Sequence, residues 1–168
     1  MTLIFTIVCV VVIALGFVVF FGAPYVPSKR RELGQALDEL YPVGEADVLV
    51  DVGSGDGVVL REASKRGVKR AVGYELNPIF WLLSRLLSRN YKNVQVRLRN
   101  MWQVKFPQDT TVVYVFGVMR DSAKLVRKMQ REAARLGRPL MLMTYGMPML
   151  PGKEPERRLG AHALYRFE

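Results

Sequence analysis

One stretch narrows the possible folds more than any other: DVLVDVGSGDG, residues 47–57. An apolar run of strand length passes Asp51, and Gly53, Gly55 and Gly57 then alternate with Ser54 and Asp56. Glycine reaches positive φ and lets another group approach the main chain closely. A helix that follows such a turn presents unpaired N–H groups at its start. The pattern predicts a buried strand, a tight turn at its carboxyl end and a nucleotide-type ligand site above that turn.

The rest of the chain keeps the alternation. Strand-like runs lie at 47–52, 69–76, 94–99, 112–118 and 139–146, and 161–167 could be one last strand. Helical patterns lie between them at 58–67, 78–90 and 122–137. Pro78 suits a first helical position, and Gly67 and Gly137 suit helix ends. Apolar strands alternating with helices predict an α/β fold, a Rossmann-like, doubly wound and mostly parallel sheet covered on both faces. Ser28 is a good cap for a further helix over about 29–40, with Leu33, Ala36, Leu37 and Leu40 on one face. In 122–137, Val126, Met129, Ala133 and Leu136 form an apolar stripe that predicts packing on the sheet. Lys124, Lys128, Arg131 and Arg135 form the opposite stripe, a solvated face or one for anionic lipid or an acidic partner.

Charge is unevenly placed. Residues 1–28 carry no Asp, Glu, Lys or Arg, so the formal net charge of +10 belongs to the remainder. Residues 3–21 are almost entirely apolar, and as a helix they would span about 28 Å, close to the thickness of bilayer hydrocarbon. Lys29, Arg30 and Arg31 follow, which predicts a single-pass membrane anchor with the folded domain facing the cytoplasm. The expected organisation is an anchor at 1–22, a linker and helix at 23–43, and the α/β domain at 44–168. Cys9 is the single cysteine, which excludes an internal disulfide and a cysteine-rich metal site. His162 is the single histidine and reads as a packing or surface residue, so no metal site is expected.

The ligand class follows from spacing. A dinucleotide turn of the form G-x-G-x-x-G would need a third glycine where Val58 stands, and a phosphate-binding loop would need Lys and Ser or Thr where Val58 and Val59 stand. The turn reads D-x-G-x-G-x-G instead. Glu75 follows Gly57 at the end of the next strand. A carboxylate there can accept both hydroxyls of a ribose and would repel a 2′-phosphate.

The pair of motifs resembles the class I S-adenosylmethionine-dependent methyltransferases. PYVPS (24–28), GYELNP (73–78) and NMWQVKF (100–106), together with VDVGSGDG (50–57), resemble a narrower group. These are the small membrane-anchored lysine methyltransferases that modify mitochondrial proteins such as the adenine nucleotide translocase and the c subunit of ATP synthase, with their bacterial relatives. The resemblance covers about residues 24–145. It implies S-adenosylmethionine as cofactor and a lysine of a membrane-associated protein as acceptor. It implies a cofactor site at Asp51, Gly53, Ser54, Gly55, Gly57, Glu75, Leu76, Asn77, Asn100 and Met101, closed by Tyr25 and Pro27. Asp51 would meet the cofactor's ammonium and the glycine N–H groups its carboxylate.

Two features depart from the group. Asn100 stands where an acid is usual, so it can accept a hydrogen bond but cannot carry charge or take a proton. Only residues 146–168 follow Tyr145, which predicts a reduced end without the usual helix and two-strand hairpin. Asn100, Trp102, Phe116 and Tyr145 are candidate pocket residues, and no catalytic base is assigned. Three alternatives stay open: a nucleic-acid substrate, which the basic charge would suit; a small-molecule, lipid or quinone substrate; and a tethered cofactor-binding module without activity. Against the first, the segment 116–121 reads FGVMRD rather than the Asn/Asp-Pro-Pro-aromatic motif of amino-directed base methyltransferases.

Overall fold

The computed structural model describes residue 2 and residues 4–6, 30–117, 121–147 and 149–168. Most of the apolar run 3–21, and Tyr25, Pro27 and Ser28, lie outside the described residues. Among the described residues, no helix is long and apolar enough to cross a membrane.

Seven strands form one sheet: β1 Val48–Val52, β2 Arg70–Glu75, β3 Val94–Leu98, β4 Val112–Phe116, β5 Leu140–Tyr145, β6 Arg157–Leu159 and β7 His162–Phe167. Their order is β3-β2-β1-β4-β5-β7-β6. β1 to β5 are parallel, and β7 runs antiparallel between β5 and β6. The chain winds outward from β1 in both directions, which opens a crevice at the carboxyl ends of β1 and β4. The expected sheet is therefore present, with each anticipated strand within two residues of its expected bounds.

The helices are α1 Arg30–Gln35, which continues as a wider π-type turn over Ala36–Leu40, α2 Val58–Lys65, α3 Pro78–Leu87 and α4 Ser122–Leu136. Alternation along the strands divides the core in two. On one face, α4 sets Leu125, Val126, Met129, Ala133 and Leu136 against Val50, Val113, Leu142 and Tyr165. On the other, α1 and its continuation bury Leu33, Ala36, Leu37 and Leu40 beside Leu49, Val112 and Leu164. Each fully buried leucine contributes about 2 kcal/mol. The helix starting at Arg30 thus shares its core with the strands.

Two expectations need correction. The carboxyl-terminal hairpin is present, because β6 needs only three residues and its pairing with β7 makes it a strand. Between β5 and β6 the described residues make turns around Leu150 and Lys153 in place of a helix. The basic stripe of α4 is also only in part a free face. Lys124 sits over the Trp102 ring at 4.2 Å. Lys128 donates to the Val104 carbonyl at 2.7 Å, and Arg135 donates to the Phe106 carbonyl at 2.7 Å and to Glu132 at 2.6 Å. These contacts tie the segment between β3 and β4 to α4, while Lys124 and Arg131 remain exposed.

Candidate functional site

The turn after β1 has the anticipated geometry. Gly53, Gly55 and Gly57 all hold positive φ, at 84°, 52° and 79°. Its N–H groups, however, serve the protein itself. Those of Gly53 and Ser54 both donate to the Tyr74 carbonyl, at 2.8 and 3.1 Å, and that of Gly57 donates to the Ser54 carbonyl at 2.8 Å. The parallel strand β2 lies alongside and supplies that acceptor, so these donors are not reserved for a ligand carboxylate. The glycines instead supply room. A Cβ on Gly53 would meet nothing within 4 Å, whereas one on Gly57 would lie 2.2 Å from Ser84 Oγ. The first glycine opens the crevice floor, and the third lets α3 pack against the turn.

Three carboxylates surround this turn. Asp56 pairs with Arg61 at 3.2 Å. Glu75, at the end of β2, accepts the Gly55 N–H at 2.7 Å on Oε2 and the Leu76 and Asn77 N–H groups at 2.8 Å on Oε1. Asp51 is only 3% exposed. Burial pushes its carboxyl well above the usual range, and the negative charges of Glu75 and Asp56 add to that. A buried carboxylate of this kind is relieved by an arriving cation.

The remaining assigned residues fall around the same crevice with mixed duties. Ser54 is buried, its Oγ close to the place where a Gly73 Cβ would stand, and that oxygen has no hydrogen-bond partner among the described residues. Asn77 Oδ1 accepts the Ile79 N–H at 2.9 Å and caps α3. Leu76 is exposed. Asn100 follows β3, and its Oδ1 accepts the Trp102 N–H at 3.0 Å, which leaves one lone pair for a further donor. Met101 and Trp102 are half-buried against the core. Tyr25 and Pro27, assigned to close the site, lie outside the described residues.

A second polar cluster joins two of the candidate pocket residues, Phe116 and Tyr145, to Glu32, Tyr114 and His162, which sequence alone did not bring together. Tyr145 donates its hydroxyl to Glu32 Oε2 at 3.0 Å, and its ring lies 4.6 Å from that of His162 and 5.7 Å from that of Phe116. Tyr114 Oη and His162 Nε2 are 3.1 Å apart. His162 is a packing residue, as expected, and burial lowers its pKa to about 4 against the opposing pull of Glu32. Tyr114 is the register partner of Asp51, so both lie on the sheet face that α1 and α2 cover. Glu32 and Tyr145 are 113 residues apart, and nothing local in the sequence joins them.

Known proteins are similar to this chain. The lysine N-methyltransferase of the ATP synthase c subunit from Xenopus laevis is 34% identical over 114 residues, 65% of this chain and 48% of that protein. The adenine nucleotide translocase lysine N-methyltransferase of Mus musculus is 42% identical over 60 residues, 36% of this chain and 24% of its own. The chain spans about half the length of the first of these. Among solved structures, an RNA methyltransferase from Salinibacter ruber, in complex with S-adenosyl-L-homocysteine, superposes with a TM-score of 0.71 at 25% identity, over 84% of this chain and 92% of that one. The family model of the ANTKMT methyltransferase domain matches residues 51–154, from the aspartate of the glycine turn to the loop before β6. A match over more than half of the chain, opening on the residue that begins the site, makes this protein a member of the ANTKMT methyltransferase family.

Proposed function

We propose that the protein transfers a methyl group from S-adenosylmethionine to the ε-amine of a lysine on a membrane-associated protein. The observation that carries this reading is Asp51, a buried carboxylate beside the glycine turn, with Glu75 on the adjoining strand. The names of the two relatives, both lysine N-methyltransferases, support the acceptor class.

The residues fit the cofactor. Its ammonium would meet Asp51, where charge relief is greatest. Its ribose would meet Glu75, which keeps about one acceptor position free after its three backbone donors. Open space over Gly53 admits the chain that joins them. When bound, S-adenosylmethionine supplies an electrophilic methyl for in-line displacement.

The chain's own part is alignment and exclusion of water. Phe116 and Tyr145 stand at the strand ends where an acceptor would enter, their rings 5.7 Å apart. A free lysine has a pKa of about 10.4, so presenting it neutral at pH 7 costs roughly 4.6 kcal/mol. Burial between these rings and proximity to a cationic group both lower that cost. Asn100 takes no proton in this scheme.

The apolar run 3–21 supports tethering, with Lys29, Arg30 and Arg31 holding the domain on the cytoplasmic side. The test is quantitative mass spectrometry of membrane proteins from cells with and without the gene. A lysine that loses its methyl groups on deletion and regains them with purified protein and cofactor is the expected result. An unchanged lysine methylome would overturn the reading. The net charge of +10 and the Salinibacter ruber neighbour favour a second reading, methyl transfer to RNA. Labelled cofactor would then mark RNA and leave membrane proteins unlabelled.

A further inference from the structure

Helix α3 is built inside out. Its residues Ile79, Leu82, Leu83, Leu86 and Leu87 recur at the spacing of one helical face, and all five are 39 to 57% exposed. At about 100° per residue they span a stripe roughly 140° wide. The opposite side carries Ser84 and Ser88, both buried, whose hydroxyls have no hydrogen-bond partner among the described residues. Ser84 is small because the helix packs against Gly57, where a Cβ would come within 2.2 Å of its Oγ. A surface helix ordinarily turns its apolar stripe to the core. This one turns it to solvent, and the edge strand β3 adds Leu98, 43% exposed, on the sheet face that carries Val94 and Val96.

Charge identifies what this stripe meets. From Leu76 to Gln108 the chain contains Arg85, Arg89, Lys92, Arg97, Arg99 and Lys105 and no Asp or Glu. Arg85 and Arg89 line one edge of the stripe, and Arg85 stacks over the Trp81 ring at 5.0 Å. Among the described residues, none of these cations is in an ion pair. Exposed leucines edged by arginines, with no negative charge, match the interface of an anionic bilayer, where apolar side chains enter the headgroup boundary and cations remain at the phosphates. An apolar protein partner would not call for charge of a single, positive sign beside the stripe.

We infer that α3, with the neighbouring edge of β3, is a lipid-docking face that lays the domain against an anionic membrane. This contact is separate from the apolar run 3–21 and does not depend on the methyl-transfer reading. Because Asn77, two residues after Glu75, caps α3, docking would hold the candidate site close to the membrane plane, where a membrane-embedded acceptor presents its lysines.

The test uses the full chain with Cys9 replaced by Ser, reconstituted in vesicles of phosphatidylcholine with phosphatidylglycerol. An environment-sensitive fluorophore is placed on Leu86→Cys, and on Arg131→Cys as a control on α4. A melting curve for each variant verifies folding. The expected result is a blue-shifted Leu86 label quenched by spin-labelled lipid, and an Arg131 label that is not. Adding Arg89→Gln should lower the ratio of docked to undocked label about fivefold, the equivalent of roughly 1 kcal/mol for one basic residue at an anionic surface. A Leu86 label that stays water-exposed while the chain remains in the vesicle would overturn the inference and leave tethering by residues 3–21 intact. A label shielded from lipid quencher, with Leu86→Cys chains cross-linking to each other, would assign the face to a second copy and also overturn it.

Discussion

The N–H of Gly55 donates to Oε2 of Glu75 at 2.7 Å, so the glycine turn and the acid of the next strand are joined directly. With the Leu76 and Asn77 N–H groups on Oε1, three of about four acceptor positions of this carboxylate are filled. A ribose with two hydroxyls must displace one of these donors. Gly55 is the one held from a separate loop.

Glu75→Gln keeps the shape and removes the charge. We expect cofactor affinity to fall about 10- to 100-fold, the range of hydrogen bonds to a charged group. Calorimetric titration with S-adenosylmethionine measures this, and an unchanged affinity would remove the ribose from Glu75. Glu75→Ala should in addition lower stability by about 1–3 kcal/mol, because three N–H groups lose their acceptor.

Asp51 links affinity and stability to pH in opposite ways. Its folded-state pKa lies well above the ordinary 3.8, so the folded protein holds this proton longer than the unfolded chain. Its contribution to stability is therefore best at low pH and declines as pH rises through the raised value. Asp51→Asn should raise the neutral-pH melting temperature by a few degrees. The same variant should weaken cofactor binding about 10- to 100-fold. In the native chain, affinity should fall as pH drops and Asp51 becomes neutral; a pH-independent affinity would disconnect Asp51 from the ammonium.

His162 works in the other direction from Asp51. Its folded pKa of about 4 lies below the usual 6.5, so the unfolded chain takes up this proton first on acidification. The stabilisation is complete above pH 6.5 and is lost progressively between 6.5 and about 4, by at most about 3 kcal/mol. Denaturant unfolding across that window should show this slope, and His162→Gln, which can still bond Tyr114, should flatten it.

Gly73 tests close packing under the site. Its φ is not in the left-handed region, yet a Cβ there would lie 2.6 Å from Leu60 Cδ1 and 2.7 Å from Ser54 Oγ. Gly73→Ala should destabilise the protein by about 1–3 kcal/mol through overpacking and lift the turn off β2. A melting temperature unchanged from the parent would mean that Ser54 yields freely.

Local chemistry was enough to specify the strands and helices, the positive-φ glycines of the turn and the placement of Asp51 and Glu75, because strand hydrophobicity, glycine freedom and strand-end spacing act over a few residues. The three-residue strand β6 was invisible, since Arg157 and Arg158 have no strand signal until β7 lies beside them. The donors of the glycine turn were assigned to a ligand, and only the neighbouring Tyr74 carbonyl revealed where they go. The lysines and arginines of α4 read as a free face, and only the path of the β3–β4 segment beneath them gives Lys128 and Arg135 carbonyl partners and Lys124 a ring to lie over. The pattern of 78–90 specifies a helix but not that its apolar stripe faces solvent. Which way a helix faces depends on what it must pack against, and at Gly57 there was room for serine and not for leucine.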